Sequence, residues 1–359
     1  MASFTPENQA ATFRNVDRLY ATRNIARGTG VTALPPHARS MSGFRYSFEG
    51  ASRTPEELMS RRRVSGLLVL KNGAVALERY GMGNTETSRW VSFSVAKSFT
   101  STLVGAALHD GSLDSLDRRC ETIVPALRGG GYEGATVREL LRMASGVQWN
   151  EEYGDAASDI VRFSQAALAG PAGAVLDFMR TRPRAAAPGT RFNYSTGETF
   201  VLGAIVTAVT GATLSDYLSA RIWSRAGMES AAYWMIEAPN GQEMAGGVLS
   251  ATLRDYGRFG LVVLRDGVIG SQRVLPAGWR NLAGWPDPSP TAFAGYGYQW
   301  WSLGTGVAFT GKGLHGQFLY LNPAEDVVAV VWGAWLQRQD AQAEAETFAL
   351  ITAAVDWLR

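Results

Sequence analysis

Ser92-Phe93-Ser94-Val95-Ala96-Lys97-Ser98-Phe99-Thr100 decides how this chain is read. A serine stands three residues before a lysine, at the mouth of a long apolar run. The chain has only three lysines, Lys71, Lys97 and Lys312, against thirty-one arginines. Arginine cannot lose its proton near neutral pH, whereas a desolvated lysine can. Phe99, Leu103, Ala106 and Ala107 recur at helical spacing and Gly111 ends the run. The pattern predicts a helix from about Phe93 to His109 with Ser92 as its N-cap. Ser94 and Lys97 then share one helix face, a nucleophile beside its base. Backbone N–H groups free at a helix start could stabilise an oxyanion there. The flanking Phe93, Val95, Ala96 and Phe99 would desolvate the lysine.

The rest of the chain bounds the chemistry. Its 359 residues, 46% hydrophobic and 18% charged, fit a globular protein with a sizeable core. A net charge of +2, with Arg61-Arg62-Arg63 as the longest basic block, is too weak for a nucleic-acid footprint. One cysteine, Cys120, rules out an internal disulfide. No apolar leader core follows Met1 and no apolar run reaches membrane-spanning length, so a cytoplasmic protein with no membrane partner is expected. His37, His109 and His315 lack paired ligand spacing, so no metal site is expected. No phosphate-binding glycine loop suggests a cofactor, and no Gly-x-Ser-x-Gly elbow suggests an α/β-hydrolase.

Strand patterns lie at both ends of the chain and helices between. Ser65 to Gly81 reads as a hairpin turning at Asn72-Gly73. Thr136–Met143, Thr196–Thr210, Ser215–Ala226, Thr252–Asp266 and Ala341–Leu358 read as helices. Tyr296–Trp301, Gly306–Thr310 and Gln317–Trp332 read as strands, and Asn150–Asp159 as an acidic loop. This order predicts an α+β fold: an antiparallel sheet built from both chain ends, flanked by helices, with an inserted helical lobe. Residues 1–50 read as an N-terminal arm, irregular with one short helix. Residues 51–359 read as a single unit, its α/β part near 51–90 and 235–359 and its helical lobe near 91–234.

Two further stretches carry candidate chemistry. Tyr194 stands in Arg191-Phe192-Asn193-Tyr194-Ser195-Thr196, just before an apolar helix, where its phenol could relay protons. Gly311-Lys312-Gly313-Leu314-His315-Gly316-Gln317 opens an apolar strand, and its glycines permit close backbone approach. A backbone N–H at Leu314 or His315 could be the second oxyanion donor.

Ser-x-x-Lys, then Tyr-Ser-Thr about a hundred residues on, then a Gly-rich strand start, resembles the serine β-lactamase and penicillin-binding-protein superfamily. The order is most similar to its class C branch. Leu140-Leu141-Arg142-Met143-Ala144-Ser145-Gly146, Gly246-Gly247-Val248-Leu249-Ser250 and Gly297-Tyr298-Gln299-Trp300 add to the likeness. Trp149-Asn150-Glu151-Glu152-Tyr153 and Gly313-Leu314-His315-Gly316-Gln317 resemble the subgroup of 6-aminohexanoate-dimer hydrolases and class VIII-type esterases. The resemblance spans roughly residues 55–355 and implies a β-lactamase-like fold. It implies Ser94 as acylated nucleophile, Lys97 as base, Tyr194 as proton relay and the Leu314 strand as oxyanion partner. It implies Tyr153 as a loop tyrosine closing over substrate.

Trp149, Tyr153 and Trp234 suggest an apolar wall, and Glu151, Glu152, Asp155 and Asp159 could attract a substrate amine. Two departures matter. Thr196 stands where the branch has Asn, and no Lys-Thr-Gly is present, Lys312 being only a doubtful anchor for a substrate carboxylate. The expectation is a serine hydrolase of a small ester or linear amide, with a small-molecule substrate, no nucleic-acid partner, and a homodimer as a possible assembly. A D-amino-acid peptidase or β-lactam enzyme, and a catalytically silent binding module, are the alternatives.

Overall fold

The computed structural model describes residues 5–285, 295–304 and 308–359. Six strands build the main sheet: β1 (Val64–Lys71), β2 (Ala74–Tyr80), β3 (Trp301–Leu303), β4 (Ala308–Gly313), β5 (Gln317–Asn322) and β6 (Val327–Gly333). Their order is β3-β4-β5-β6-β1-β2, antiparallel throughout. The two ends of the chain meet where Val331 pairs with Leu67 and Val330 with Leu68. The β1–β2 turn forms because Asn72 and Gly73 both take positive φ, 52° and 77°, as a two-residue hairpin turn of the favoured hand requires.

Alternation along each strand serves two cores at once. Leu67, Val69, Ala329 and Val331 pack with Leu350, Ile351 and Ala354 of the C-terminal helix (Ala341–Leu358). Leu68, Leu70, Val328 and Val330 belong to the opposite core, with Phe99 and Phe259. Among the helices of this second core are α1 (Ala96–His109), α2 (Thr196–Thr210) and α3 (Leu253–Leu264). The C-terminal helix is α4. Helix α2 is buried continuously from Thr196 to Val206, as a core helix that is apolar on every side should be. No single helix among the described residues is long and apolar enough to cross a membrane.

A smaller sheet escaped the sequence reading. Thr22–Ile25, Ala232–Met235, Leu249–Ala251 and Trp90–Val91 pair in that order. The stretch read as an irregular arm thus carries two short helices (Gln9–Arg14, Val16–Leu19) and two strands (Thr22–Ile25, Tyr46–Phe48). Phe13 meets Phe93 and Trp90 at centroid distances of 4.9 and 5.6 Å. Helices Asp159–Ala169 and Ala174–Arg180 were also missed, although Ser158 caps the first by accepting from Val161 N.

Other expectations need correction. Ser92 stands at the N-cap position of the opening turn but its side chain caps nothing: its hydroxyl donates to Phe93 O and accepts from Leu249 N, tying the helix start to the small sheet. A 3₁₀ turn covers Phe93–Val95 before α1 begins. Tyr296–Trp301 is no strand beyond one bridge between its end residues. Gln299 takes a φ of +64° there, and its amide hydrogen-bonds Leu140 O and Leu141 O instead of a neighbouring strand. Gly306 and Val307, read as a strand start, lie outside the described residues. Gln317–Trp332 divides into β5 and β6. The helix expected at Ser215–Ala226 is a short α-helix, Leu214–Leu218, continued by one wide π turn to Trp223.

Candidate active site

Every residue from Trp90 to Ala107 is buried except Ser94, which is half-buried. The nucleophile candidate is therefore the one point where this segment reaches an opening. The residue before it, Phe93, has a φ of +43°. A bulky residue pays a steric penalty in that region and keeps it only where surrounding structure enforces it. Rings of Phe13 and His315 pack on Phe93 and supply that constraint.

Lys97 is 1% exposed. Its Nζ donates to Ser94 Oγ (3.0 Å), Thr196 Oγ1 (2.9 Å) and Gly246 O (2.9 Å). Burial pulls the amine down to about 8, and the nearby Glu151 carboxylate opposes that fall. Gly246 must be glycine for its carbonyl to arrive here, because a Cβ would lie 2.9 Å from Thr196 O and 3.0 Å from Thr196 Cγ2.

Tyr194 leaves a loop just ahead of α2, held by Asn193 N donating to Met143 O and Asn193 Nδ2 to Trp149 O. Its hydroxyl lies close enough to Ser94 for that side chain to ease its ionisation slightly. Its ring stacks on Trp301 (5.6 Å) and lies 4.9 Å from Lys97 Nζ. Burial, then the charge of Glu151, pushes its phenol well above the ordinary value. Tyr194 is thus a neutral O–H group at working pH. Ser94, Lys97 and Tyr194, a hundred residues apart in sequence, are in mutual contact.

Strand β4 passes directly over the helix start. A Cβ at Gly313 would lie 2.5 Å from Ser92 O, and one at Gly311 3.0 Å from Ser98 Oγ. Leu314 follows at once, half-buried against the same core. Among the described residues no backbone acceptor is bonded to its N–H. His315 is different. Its N–H donates to Arg338 O, so it is no free oxyanion donor. Its ring lies beside Phe13 and Phe93, with Nδ1 2.7 Å from Trp335 O.

Lys312 is also corrected. Alternation sends Gly311 and Gly313 toward α1 and Lys312 to the other face of the sheet. There its Nζ pairs with Glu344 Oε1 of α4 at 2.6 Å and stands 5.7 Å from the Phe348 ring. Trp234 is no wall of the opening, being fully buried with Nε1 donating to Met244 O and Gly247 O. Asp155 is exposed and accepts from Ala157 N, shaping its own loop. Asp159 pairs with Arg182.

The acidic loop holds the residue that sequence reasoning undervalued. Glu151 points inward. Its carboxylate accepts from Thr196 Oγ1 and Thr196 N, from Trp149 Nε1 and from Tyr153 O–H (3.0 Å). Trp149 and Tyr153 thus reach the site through Glu151. At the rim, the Arg338 guanidinium stands 5.7 Å from the Tyr153 ring. Among the described residues no carboxylate is within ion-pair distance of Arg338, and no group of three acidic, His or Cys side chains could hold a metal.

A half-buried serine beside a buried lysine, with a tyrosine ring close by, sits where the antiparallel sheet meets the helices, and comparison with known proteins gives the class of hydrolase. The family model described as Beta-lactamase matches residues 51–354, and the chain belongs to that family. It is 30% identical over 348 residues to the 6-aminohexanoate-dimer hydrolase of Paenarthrobacter ureafaciens, covering 92% of this chain and 86% of that one. A solved Bacillus anthracis protein, provisionally assigned as a 6-aminohexanoate-dimer hydrolase, superposes with a TM-score of 0.87 at 23% identity, over 97% of this chain and 94% of its own. A penicillin-binding protein from Bacillus halodurans gives a TM-score of 0.66 at 19% identity, over 83% of this chain and 99% of its own. The two structural likenesses speak to the fold. The chain is a β-lactamase-fold hydrolase related to 6-aminohexanoate-dimer hydrolase.

Proposed function

We propose that this protein hydrolyses small esters or linear amides of the 6-aminohexanoate-oligomer kind through an acyl-enzyme on Ser94. The observation that carries the reading is the 3.0 Å contact between Ser94 Oγ and a fully buried Lys97 whose amine is pulled down to about 8. Neutral Lys97 takes the hydroxyl proton as Oγ attacks the substrate carbonyl. The N–H groups of Ser94 and Leu314 face the developing oxyanion. Tyr194, a neutral phenol beside Ser94, gives its proton to the leaving amine or alkoxide and takes up the one Lys97 removed from Ser94, so that both groups return to their neutral forms. Water then attacks the acyl-enzyme, with Lys97 again as base, and the acid leaves.

The substrate class draws support from the Paenarthrobacter ureafaciens relative and from the pairing of Lys312 with Glu344. Lys312, 5.6 Å from the Trp301 ring, is already paired with Glu344, so a β-lactam carboxylate would meet it only by displacing that partner. An unpaired buried charge costs several kcal/mol. Neutral esters carry no such cost. Steady-state kinetics on p-nitrophenyl butyrate, the 6-aminohexanoate dimer, benzylpenicillin and nitrocefin test the reading, with a trapped Ser94 acyl-enzyme sought by intact-mass spectrometry. Turnover of the ester or dimer with Ser94 acylated supports it. Nitrocefin as best substrate would favour a β-lactam enzyme with Arg338 at the rim as carboxylate anchor. No turnover and no labelling by a fluorophosphonate would favour a silent binding module.

A further inference from the structure

Lys97 has three tetrahedral directions for hydrogen bonding, and the structure assigns an oxygen to each: Ser94 Oγ, Thr196 Oγ1 and Gly246 O. A protonated amine donates along all three. A neutral amine has two N–H groups and one lone pair. Only a lone pair facing Ser94 can accept the serine proton.

The Gly246 carbonyl accepts only, so that direction always takes an N–H. Thr196 is ambiguous, because a hydroxyl can donate as readily as it accepts. If Thr196 donated to Lys97, the lone pair would be occupied and Ser94 would face an N–H. Glu151 removes the ambiguity. Both its oxygens act as acceptors, Oε2 from Trp149 Nε1 and Thr196 N and Oε1 from Tyr153 O–H, and Thr196 Oγ1–H likewise donates to Oε1. Thr196 then accepts from Lys97, and the lone pair is left for Ser94. The backbone N–H of Thr196 donates to the other carboxylate oxygen and fixes the pair in register.

We infer that Glu151, acting through Thr196, is a positioning residue that sets the direction of the proton chain and aims the Lys97 lone pair at Ser94. This rests on Lys97 serving as base to Ser94. It also accounts for the Thr at this point of the Tyr-Ser-Thr motif. An amide oxygen accepts without ambiguity, whereas a hydroxyl needs a neighbour to fix its sense. The titratable groups facing Glu151 are Lys97, Tyr153 and Tyr194, with Tyr296 packed behind Tyr194.

The test compares wild type with Glu151→Gln, Thr196→Val and the double variant, on p-nitrophenyl butyrate across pH, with thermal melting alongside. A glutamine can donate to Thr196 and reverse the chain. Each single variant should lose at least about tenfold in kcat with KM nearly unchanged, and the double variant should lose no more than the worse single, the mark of one coupled unit. The acid limb of Glu151→Gln should move to lower pH, because the carboxylate that holds the lysine proton is gone. A Glu151→Gln enzyme with raised KM, unchanged kcat and an unmoved acid limb would overturn the inference, leaving Glu151 as a loop tether. Multiplying losses in the double variant would overturn it too. Failure of the underlying reading looks different: a folded Ser94→Ala protein would keep its activity.

Discussion

Lys97 and Lys312 make an instructive pair. Both sit in stretches that sequence reading marked as functional, and both are surrounded by glycine, serine and aromatic residues. Lys97 is buried, touches three neutral oxygens and meets its nearest carboxylate only through Thr196. Lys312 is partly exposed and directly paired with Glu344. The first environment eases the loss of a lysine's proton, and the second ties a lysine into an ion pair. The residue type says what a side chain can do. The side of the sheet decides whether it does it.

Breaking this contrast should have unequal effects. Lys97→Arg keeps a cation but removes the base. It should reduce kcat/KM at least about a hundredfold, and retention of more than about a tenth, a loss below roughly 1.4 kcal/mol, would disprove base catalysis. Tyr194→Phe should lower kcat by about 10²–10⁴, the usual contribution of a positioned proton donor. The loss should be larger on an anilide than on a p-nitrophenyl ester, whose phenolate leaves unaided. Equal losses would remove Tyr194 as donor to the leaving group. The wild-type profile sharpens the same contrast. Activity should rise with pH through one ionisation near 8 and then level, because the Lys97 amine works only once deprotonated, while Tyr194 titrates much higher. A profile flat from pH 6 to 9 would contradict this. Lys312→Met should have the least effect, within about twofold in kcat/KM and about 1 kcal/mol in stability, as a part-exposed ion pair allows.

A buried carboxyl gives a parallel prediction in stability. Glu198 lies in α2, hydrogen-bonded to Ser145 through Oε1 while Oε2 has no partner among the described residues. Burial pushes it up to about 8. The unfolded chain releases this proton near 4.5 and the folded protein does not, so stability should fall as pH rises from about 4.5 to 8. Glu198→Gln should flatten that slope in melting curves, and an unchanged slope would show that other groups set it.

Much of this was legible in the sequence because it depends on local pattern. Asn72-Gly73 announces its hairpin, and the Thr196–Thr210 and Ala341–Leu358 helices fall where their apolar spacing puts them. Ser94, Lys97 and Tyr194 were found because their residue types are chemically specific. What escaped reading depends on partners remote in the chain. The small sheet joins segments of two to four residues, too short to show a period. Glu151 reads as one of several acidic loop residues, and only Thr196, Trp149 and Tyr153 around it reveal that it faces inward. His315 and Lys312 could not be sorted from Leu314 until the strand's facing was known.

The pairing of β6 with β1 carries a consequence for how the molecule is made. The ribosome delivers the Val64–Tyr80 hairpin early, yet its sheet partner arrives only after nearly all the remaining chain. Until then β1 keeps an open, strongly apolar edge, the kind of surface that invites aggregation. Contacts so distant in sequence slow folding. The Leu314 amide, proposed above as an oxyanion donor, arrives on that same late hairpin. A nascent chain halted before residue 333 would therefore hold Ser94 and Lys97 and still lack a finished sheet.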